Sequence, residues 1–243
     1  MRLPPIVNIR YAPLGQLLEE CQHSSREWLG IDERREFDRL SDCNRRTQWL
    51  AGRWASKSLL RQAAGIANGA NLQILTRDER GRGVRPGIFL DGRDLPWTLS
   101  ISHSESAVLI GLAPKSEFSI GVDLVKPGRR GDAFQQMWYT AGERRWVAED
   151  LGSEDPGNRA MTIWALKEAI YKAINSGESW DPRQIEILPR ASRHFGCRYR
   201  GQMMGTLLLN LSTIDKHIAA VVCLPSAGVQ TVARDNTFLR EAS

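Results

Sequence analysis

The chain has 243 residues, of which 42% are hydrophobic and 25% charged, and its net charge is +5. This composition is that of a globular protein, long enough for one large domain or two small ones. No apolar run approaches the ~20 residues of a membrane-spanning helix, and residues 1–10 lack the apolar segment of an export signal. The positive charge suits an anionic partner, such as nucleic acid, a phosphorylated cofactor or an acidic protein.

The first long helix is predicted over about 45–64, where Ala51, Ala55 and Leu59 recur every four residues. A separate stripe of this helix is basic and consists of Arg46, Arg53, Lys57 and Arg61. The second long helix is predicted over about 161–175. Its apolar stripe consists of Ile163, Leu166, Ile170 and Ile174.

Short strands are predicted after each helix. Those after the first helix are 72–75, 88–90, 98–102 and 108–112. Those after the second helix are 185–188, 195–199, 207–212 and 217–223. Because a helix followed by several strands occurs twice, we predict an α+β fold, a pseudo-dimer of two similar helix-plus-antiparallel-sheet lobes. The lobes are predicted at residues 1–114 and 115–243, without a visible residue-level repeat.

The four cysteines are dispersed through the chain, with no CxxC pair among them. They are Cys21, Cys43, Cys197 and Cys223. This spacing is neither that of a disulfide framework nor that of a zinc site. We therefore expect reduced thiols and a cytosolic location.

A carboxylate interrupts the apolar strand predicted over 119–125. Phe118, Ile120, Val122 and Leu124 alternate onto one face, which places Asp123 on the other. A carboxylate in such a strand must be hydrated, paired or metal-bound, because burying it bare is costly. A lone Asp in this position most often marks a strand end at the surface.

Ionisable side chains also interrupt the second helix and the strand that ends at His103. Glu168 and Lys172 project together, which is typical of a surface ion pair. Lys167 projects close to the apolar stripe, so we expect its stem to pack and its ammonium to reach solvent. A single histidine at a strand end, as at His103, is more often structural than catalytic.

Taken in order, these segments resemble the signature motifs of one enzyme family. SISHS (100–104), IGVD (120–123) and WALKEAIYKA (164–173) are similar to the successive motifs of phosphopantetheinyl transferases of the large, surfactin-synthetase-activating type. That family has an SHS-like turn, a (V/I)G(I/V)D strand and a helix reading W-(S/A)-x-K-E-(A/S)-x-x-K. The stretch 76–82 resembles its nucleotide-binding loop, with Arg82-Gly83 in place of the usual Lys-Pro.

The resemblance implies a magnesium-dependent enzyme of the holo-[acyl-carrier-protein] synthase type. Such an enzyme moves 4′-phosphopantetheine from coenzyme A to a serine of an apo acyl or peptidyl carrier protein and releases adenosine 3′,5′-bisphosphate. A chain of this length is expected to act as a monomer, with neither nucleic acid nor membrane as a partner.

The resemblance also implies roles for particular residues. Asp123 and Glu168 would bind Mg²⁺, with Val125 where many members have a second acid. The catalytic candidates are Glu168 as proton acceptor, Lys172 at the leaving phosphate and His103 at the phosphates. The implied coenzyme A contacts are Arg46, Arg53, Arg77, Gly81, Arg82, Ser102, His103, Asp123 and Lys172.

Three points stay open at the level of sequence. Glu143 matches a family acid, but it can equally be an acid at the start of a helix. A nucleic-acid-binding module is a weaker alternative, because the arginine-rich stretch after residue 77 also carries Asp91 and Asp94. An inactive relative that only binds coenzyme A or a carrier protein is favoured by Val125 and disfavoured by the intact Asp123 and Glu168.

Overall fold

A computed structural model of the protein describes residues 3–22, 28–67, 71–78, 83–149, 155–174, 181–190 and 194–226. The chain divides into two units, Pro4–Ile120 and a unit that begins at Gly121. We call these the N-terminal unit and the C-terminal unit. The division falls slightly after the predicted boundary at residue 114.

The N-terminal unit contains two antiparallel sheets and three helices. Its elements are β1 (Asn8–Pro13), α1 (Leu14–Gln22), α2 (Ile31–Asp38), α3 (Cys43–Ala64), β2 (Leu72–Arg77), β3 (Gly83–Leu90), β4 (Arg93–Asp94), β5 (Trp97–His103) and β6 (Ala107–Pro114). The strand orders are β1-β6-β5 and β2-β3-β4. The predicted apolar stripe of α3 is buried in this unit's core.

The C-terminal unit has the same kinds of elements. The first is β7 (Phe118–Val125), whose initial three residues belong to the N-terminal unit. The others are α4 (Asp132–Trp138), α5 (Ala141–Ala148), α6 (Pro156–Ile174), β8 (Ile185–Arg190), β9 (His194–Tyr199), β10 (Gln202–Met203), β11 (Leu208–Ile214) and β12 (His217–Pro225). The strand orders are β7-β12-β11 and β8-β9-β10. The predicted apolar stripe of α6 is buried in a separate core.

The two units correspond element by element. Within the described residues, each has a strand, three helices, three strands that form one sheet, and two strands that join the first strand in the other sheet. The predicted α+β class and the predicted duplication are therefore confirmed. All the strands predicted after the two helices are present, as β2, β3, β5, β6, β8, β9, β11 and β12.

The correspondence also exposes a repeat in the amino-acid sequence. Trp54-Ala-Ser-Lys57 in α3 and Trp164-Ala-Leu-Lys167 in α6 are 110 residues apart (164 − 54 and 167 − 57). This repeat was not visible before the two helices were aligned by their places in the fold. The repeat is short, and its lysine makes a few buried contacts that are similar in the two units.

In the N-terminal unit, the repeated lysine forms a buried ion pair. Lys57 Nζ lies 2.5 Å from Glu33 Oε2 and donates to the Trp28 carbonyl at 2.8 Å. Glu33 also accepts hydrogen bonds from the main-chain N–H groups of Gly30 and Ile74, each at 2.9 Å. One carboxylate thus connects the start of α2, the middle of α3 and the strand β2.

The C-terminal unit repeats this network. Lys167 Nζ lies 2.8 Å from Glu143 Oε2 and donates to the Trp138 carbonyl at 3.1 Å. Glu143 accepts from the main-chain N–H groups of Thr140 at 2.8 Å and Ile187 at 2.7 Å. Both carboxylates are the third residue of a short helix, and both bind a strand that follows the long helix.

Two expectations for this network are now corrected or resolved. Lys167 does not reach solvent, since its side chain is fully buried and its ammonium is bonded inside the unit. Glu143 starts α5, as one alternative proposed, and is also the partner of Lys167. Burial raises the pKa of Glu143 and lowers that of Lys167, and each partner's charge opposes the shift of the other.

The start of α3 and the state of the cysteines can also be compared with the predictions from the sequence. The helix α3 begins at Cys43, two residues before its predicted start, because the Asp42 side chain accepts a hydrogen bond from Arg45 N–H at 2.7 Å. All four cysteines are thiols, which confirms the prediction. None of the helices in the described ranges is both long and apolar enough to cross a lipid bilayer.

Candidate active site

The strand β7 lies directly against α6 at the glycine of the IGVD segment. A Cβ atom on Gly121 would be 1.9 Å from the Ala169 carbonyl oxygen and 2.5 Å from Ala173 N. Only a residue without a side chain allows this approach. Ala169 and Ala173 are fully buried and lie one turn apart, so α6 presents its backbone to the strand.

This close contact determines the surroundings of Asp123. It lies two residues after Gly121, on the same side of β7, and is 5% exposed. Lys172 Nζ is 2.7 Å from Asp123 Oδ1 and donates to the Val122 carbonyl at 3.1 Å. Because β7 continues to Val125, Asp123 is not at a surface strand end, and it is a buried carboxylate paired with a cation.

Glu168 lies one helical turn before Lys172, as predicted. Its Oε2 atom is 4.0 Å from Lys172 Nζ, and its side chain is only 20% exposed. Burial raises the pKa of Glu168; the Lys172 charge opposes this, and the Asp123 charge adds to it. The interpretation as a simple surface pair is wrong, since Lys172 connects Glu168 to the carboxylate of the strand.

The donor chemistry of this cluster fits a hard divalent cation. Asp123 lies close enough to Glu168 for its charge to raise the pKa of that carboxyl, and carboxylate oxygens are ligands that Mg²⁺ prefers. Within the described ranges there is no group of three or more His, Cys, Asp or Glu side chains arranged to hold a metal ion. A Mg²⁺ ion here would therefore take two protein ligands and complete its shell with water or phosphate oxygens. Val125 packs against the core of the C-terminal unit.

A second group of candidate residues lies in the N-terminal unit, at the end of β5. His103 is exposed, and its ring rests on α3 at Gly52, where a Cβ atom would be 2.5 Å from Nε2. Ser102 is buried at 5% exposure. Ser104 Oγ accepts the Ala107 main-chain N–H at 3.0 Å, so this serine forms the turn that follows the histidine.

The basic stripe of α3 contains one arginine that is enclosed within the N-terminal unit. Arg53 is 3% exposed and donates to Glu36 at 3.0 Å and to the Thr76 hydroxyl at 2.8 Å. The assignment of Arg53 to coenzyme A is therefore corrected, because its guanidinium is enclosed by partners inside the unit. Arg46 lies 4.2 Å from the centroid of the Phe37 ring and remains partly exposed.

The candidate nucleotide-binding loop is described only in part. Arg77 is at the end of β2, and its main-chain N–H donates to Glu36 at 2.9 Å. Gly81 and Arg82 lie outside the described residues. Of the three candidates in this loop, the structure therefore describes Arg77 alone.

Sequence reasoning missed Arg85 in the neighbouring strand β3. Arg85 donates hydrogen bonds to the Ser119 hydroxyl and to the Ile120 carbonyl, at the start of β7. Burial lowers the pKa of Arg85. A signal for Arg85 was present in the sequence. Arg85-Pro86 is a basic residue followed by proline, like the Lys-Pro with which Arg82-Gly83 was compared.

A comparison with protein families finds a match for the segment that contains Asp123, Glu168 and Lys172. Residues 119–222 match the model of the 4′-phosphopantetheinyl transferase superfamily. This range contains Asp123, Glu168 and Lys172. This match agrees, for the segment that it covers, with the resemblance inferred from the motifs. No curated protein was found to match the sequence.

Several solved structures are similar to part of the chain. A holo-(acyl-carrier-protein) synthase from Bacillus anthracis in complex with CoA (3′,5′-ADP) is 22% identical over 44% of this chain and 91% of its own, with a TM-score of 0.35. The Thermotoga maritima holo-[acyl-carrier-protein] synthase is 20% identical over 44% of this chain and 63% of its own, with a TM-score of 0.35. The Chronobacterium ammoniagenes ACPS-CoA complex is 22% identical over 44% of this chain and 95% of its own, with a TM-score of 0.36.

Proposed function

We propose that the protein transfers the 4′-phosphopantetheine moiety of coenzyme A to a serine of an apo carrier protein and releases adenosine 3′,5′-bisphosphate. The observation that carries this proposal is the cluster of Asp123, Glu168 and Lys172, which lies inside the segment that matches the superfamily. The duplication of the fold within one chain supports the large type of transferase. It also supports action as a monomer, because both units are present in one chain.

Asp123 and Glu168 are the residues that would hold Mg²⁺. When bound, the ion would neutralise charge on the pyrophosphate of coenzyme A. Asp123 is fixed by its place on β7, and Glu168 by its place on α6, so the contact at Gly121 sets the spacing of the two carboxylates. The position of Val125 contributes an apolar contact and no ligand.

Glu168 is the proposed general base. It would take the hydroxyl proton of the carrier serine as the serine oxygen bonds to the β-phosphorus. The bond from that phosphorus to the bridging oxygen breaks, and its electron pair leaves with adenosine 3′,5′-bisphosphate. A carboxylate whose pKa is raised by burial is a stronger base than an exposed one, so the burial of Glu168 favours this role.

Lys172 is the proposed electrostatic partner of the leaving group. Its ammonium is held by Asp123 and the Val122 carbonyl, one turn from Glu168. A fixed cation beside the reacting phosphate stabilises the charge that develops on the leaving oxygen. The same ammonium keeps Asp123 and Glu168 from repelling each other when both are ionised.

The N-terminal unit supplies the remaining candidates for contact with coenzyme A. We assign the phosphates to Ser102 and His103, and the nucleotide to Arg46, Arg77 and the Gly81–Arg82 loop. His103 is exposed and braced by α3, which suits a phosphate contact. The carrier protein and the cytosolic location are proposed on the same resemblance.

The test is incubation with coenzyme A, Mg²⁺ and several apo carrier proteins, followed by intact-mass measurement of each carrier. We expect a mass gain of one phosphopantetheine on at least one carrier. The control is the same mixture without Mg²⁺. If coenzyme A binds the folded protein and no carrier gains mass, the protein is the binding-only relative, and the proposal is contradicted.

A further inference from the structure

A cavity of about 340 Å³ lies beside α3 in the N-terminal unit. The residues that line it are Trp28, Trp54, Lys57, Ser58, Arg61 and Ile66. A volume of this size is typical of sites for small molecules. None of these residues belongs to the catalytic cluster or to the proposed coenzyme A contacts, so the cavity is independent of the proposed function.

The apolar wall of the cavity is a fixed pair of indole rings. The Trp28 and Trp54 rings meet edge to face, with centroids 5.2 Å apart. Trp54 Nε1 donates to Glu20 at 2.8 Å, which holds that ring in place. Ile66 is partly buried beside them. The face or the edge of an indole can bind a planar ring by stacking or edge contact.

One lining cation is already neutralised. The ammonium of Lys57 is bonded to Glu33 at 2.5 Å and to the Trp28 carbonyl at 2.8 Å. It therefore does not attract an anion into the cavity. Glu20 is likewise paired, with Arg10 at 3.2 Å.

The rim of the cavity carries a guanidinium with donors to spare. Arg61 is exposed, and its Nε and Nη2 atoms donate to the carbonyls of Ile66 at 3.4 Å and Ala67 at 3.0 Å. These bonds orient the side chain, and its other amino group makes no hydrogen bond to the described residues. The exposed Ser58 hydroxyl, one turn earlier on α3, also makes none within the described ranges. An anionic group can therefore be received by Arg61 and Ser58 together.

The duplication gives an independent reason to expect an anion here. At the 110-residue separation of the two helices, Ser58 and Arg61 correspond to Glu168 and Tyr171 of α6. On that turn α6 carries a carboxylate, which suits a cation. On the equivalent turn α3 carries a hydroxyl and a guanidinium, so its preference for charge is reversed.

We propose that this cavity is a binding site for a small planar aromatic molecule that carries a carboxylate or a phosphate. The ring lies against Trp28 and Trp54, and the anionic group is bound by Arg61 and Ser58.

The test uses 2-naphthoate and 2-naphthyl phosphate as probes, followed through the ¹⁵N-labelled indole signals of the full chain. We expect the Trp28 and Trp54 signals, identified with Trp→Phe variants, to shift with a Kd on the order of 1 mM or below. Comparison of the two probes distinguishes carboxylate from phosphate. Two partial probes, 2-naphthylmethanol (ring only) and inorganic phosphate (anion only), should bind at least about 10-fold more weakly.

Arg61→Gln should weaken binding of the preferred probe at least about 10-fold. The matched control is Arg45→Gln, also at an exposed position of α3 but outside the cavity, which should leave the Kd unchanged. The amide spectrum reports whether each variant is folded. The proposal is overturned if neither indole signal shifts, if 2-naphthylmethanol binds as tightly as 2-naphthoate, or if Arg61→Gln and Arg45→Gln bind equally well.

Discussion

The helices α3 and α6 show which parts of a duplicated fold hold the structure and which carry the chemistry. Both have the Trp-Ala-x-Lys pattern, and both lysines bind a buried glutamate at the start of a short helix. Directly after the lysine and again four residues later, α3 has Ser58 and Gln62, whereas α6 has Glu168 and Lys172. The shared alanine and lysine are buried in both helices, whereas Ser58 and Gln62 of α3 are exposed.

The approach of each helix to its neighbouring strand also differs. α6 is met by β7 at Gly121, where backbone touches backbone. α3 has its own glycine, Gly52, but there the neighbour is the ring of His103. The close contact in the C-terminal unit is what brings Asp123 to Lys172.

The largest effect is expected from removal of the strand carboxylate. Asp123→Ala should reduce transfer to less than a few per cent, since it removes a proposed metal ligand and the partner of Lys172. The chain should stay folded, because Lys172 is partly exposed and its ammonium can reach solvent once its partner is removed. Steady-state rates and far-UV circular dichroism measure the two effects. Activity above a few per cent would contradict the assignment of Asp123.

Removal of either repeated lysine should destabilise the protein strongly. Lys57→Met and Lys167→Met should each lower the free energy of unfolding by about 3–5 kcal/mol, because each removes the ammonium that donates to a buried glutamate. Glu33 keeps Arg53 at 3.9 Å, so the cost of Lys57→Met should be the smaller of the two. Urea unfolding measures both variants. A cost below about 1 kcal/mol for one of them alone would show that the two networks are not equivalent.

The two glycines provide a matched pair of substitutions. Gly121→Ala should cost at least about 3 kcal/mol, because the new methyl group meets the backbone of Ala169. Gly52→Ala should cost less than about 1 kcal/mol, since the His103 ring can turn away and alanine favours a helix. Thermal unfolding distinguishes them. Equal costs would contradict the explanation of the IGVD glycine.

A substitution at Val125 tests whether this position could supply a further ligand to the proposed Mg²⁺ site. Because Val125 packs against the core, Val125→Glu should lower stability by about 2 kcal/mol. The Mg²⁺ concentration for half-maximal rate should not change. A Mg²⁺ titration of the rate, beside a thermal melt, measures both. A lower Mg²⁺ requirement with unchanged stability would mean that position 125 can supply a ligand.

The smallest effect is expected in the pH dependence of stability. Burial raises the pKa of Glu168 above its usual value of 4.5, so the folded chain holds this proton more tightly than the unfolded chain. Stability is therefore lost as the pH rises from about 4.5 through the folded-state pKa, and the loss is complete above it. Glu168→Gln lacks this loss. The melting temperature of Glu168→Gln minus that of the unmodified protein should therefore be larger at pH 7 than at pH 4. An equal difference at the two pH values would contradict the raised pKa of Glu168.

The sequence predicts the parts of this fold that apolar periodicity encodes. α3, α6 and their strands follow from stripes of buried alanine, leucine and isoleucine. The helix α2 was not predicted, because two of its buried residues are the acids Glu33 and Glu36 rather than apolar ones. Lys167 was misplaced for a related reason, as its buried partner Glu143 belongs to another helix.

The candidate site was predictable only in part. The motifs indicated Asp123, Glu168 and Lys172, whereas their mutual contact depends on the approach of β7 to α6. The burial of Arg53 could not be predicted from its helix alone, since its partners Glu36 and Thr76 lie on other elements.

The central claim, that the divergent turn of α6 carries the chemistry, is tested most directly by making α6 resemble α3. Glu168→Ser places the α3 residue in α6, and Gln62→Ala changes an exposed residue on the same stretch of α3. The measurement is the rate at which an apo carrier protein gains the mass of one phosphopantetheine. We expect a loss of at least about 100-fold for Glu168→Ser and an unchanged rate for Gln62→Ala. Equal rates in the two variants would contradict the account.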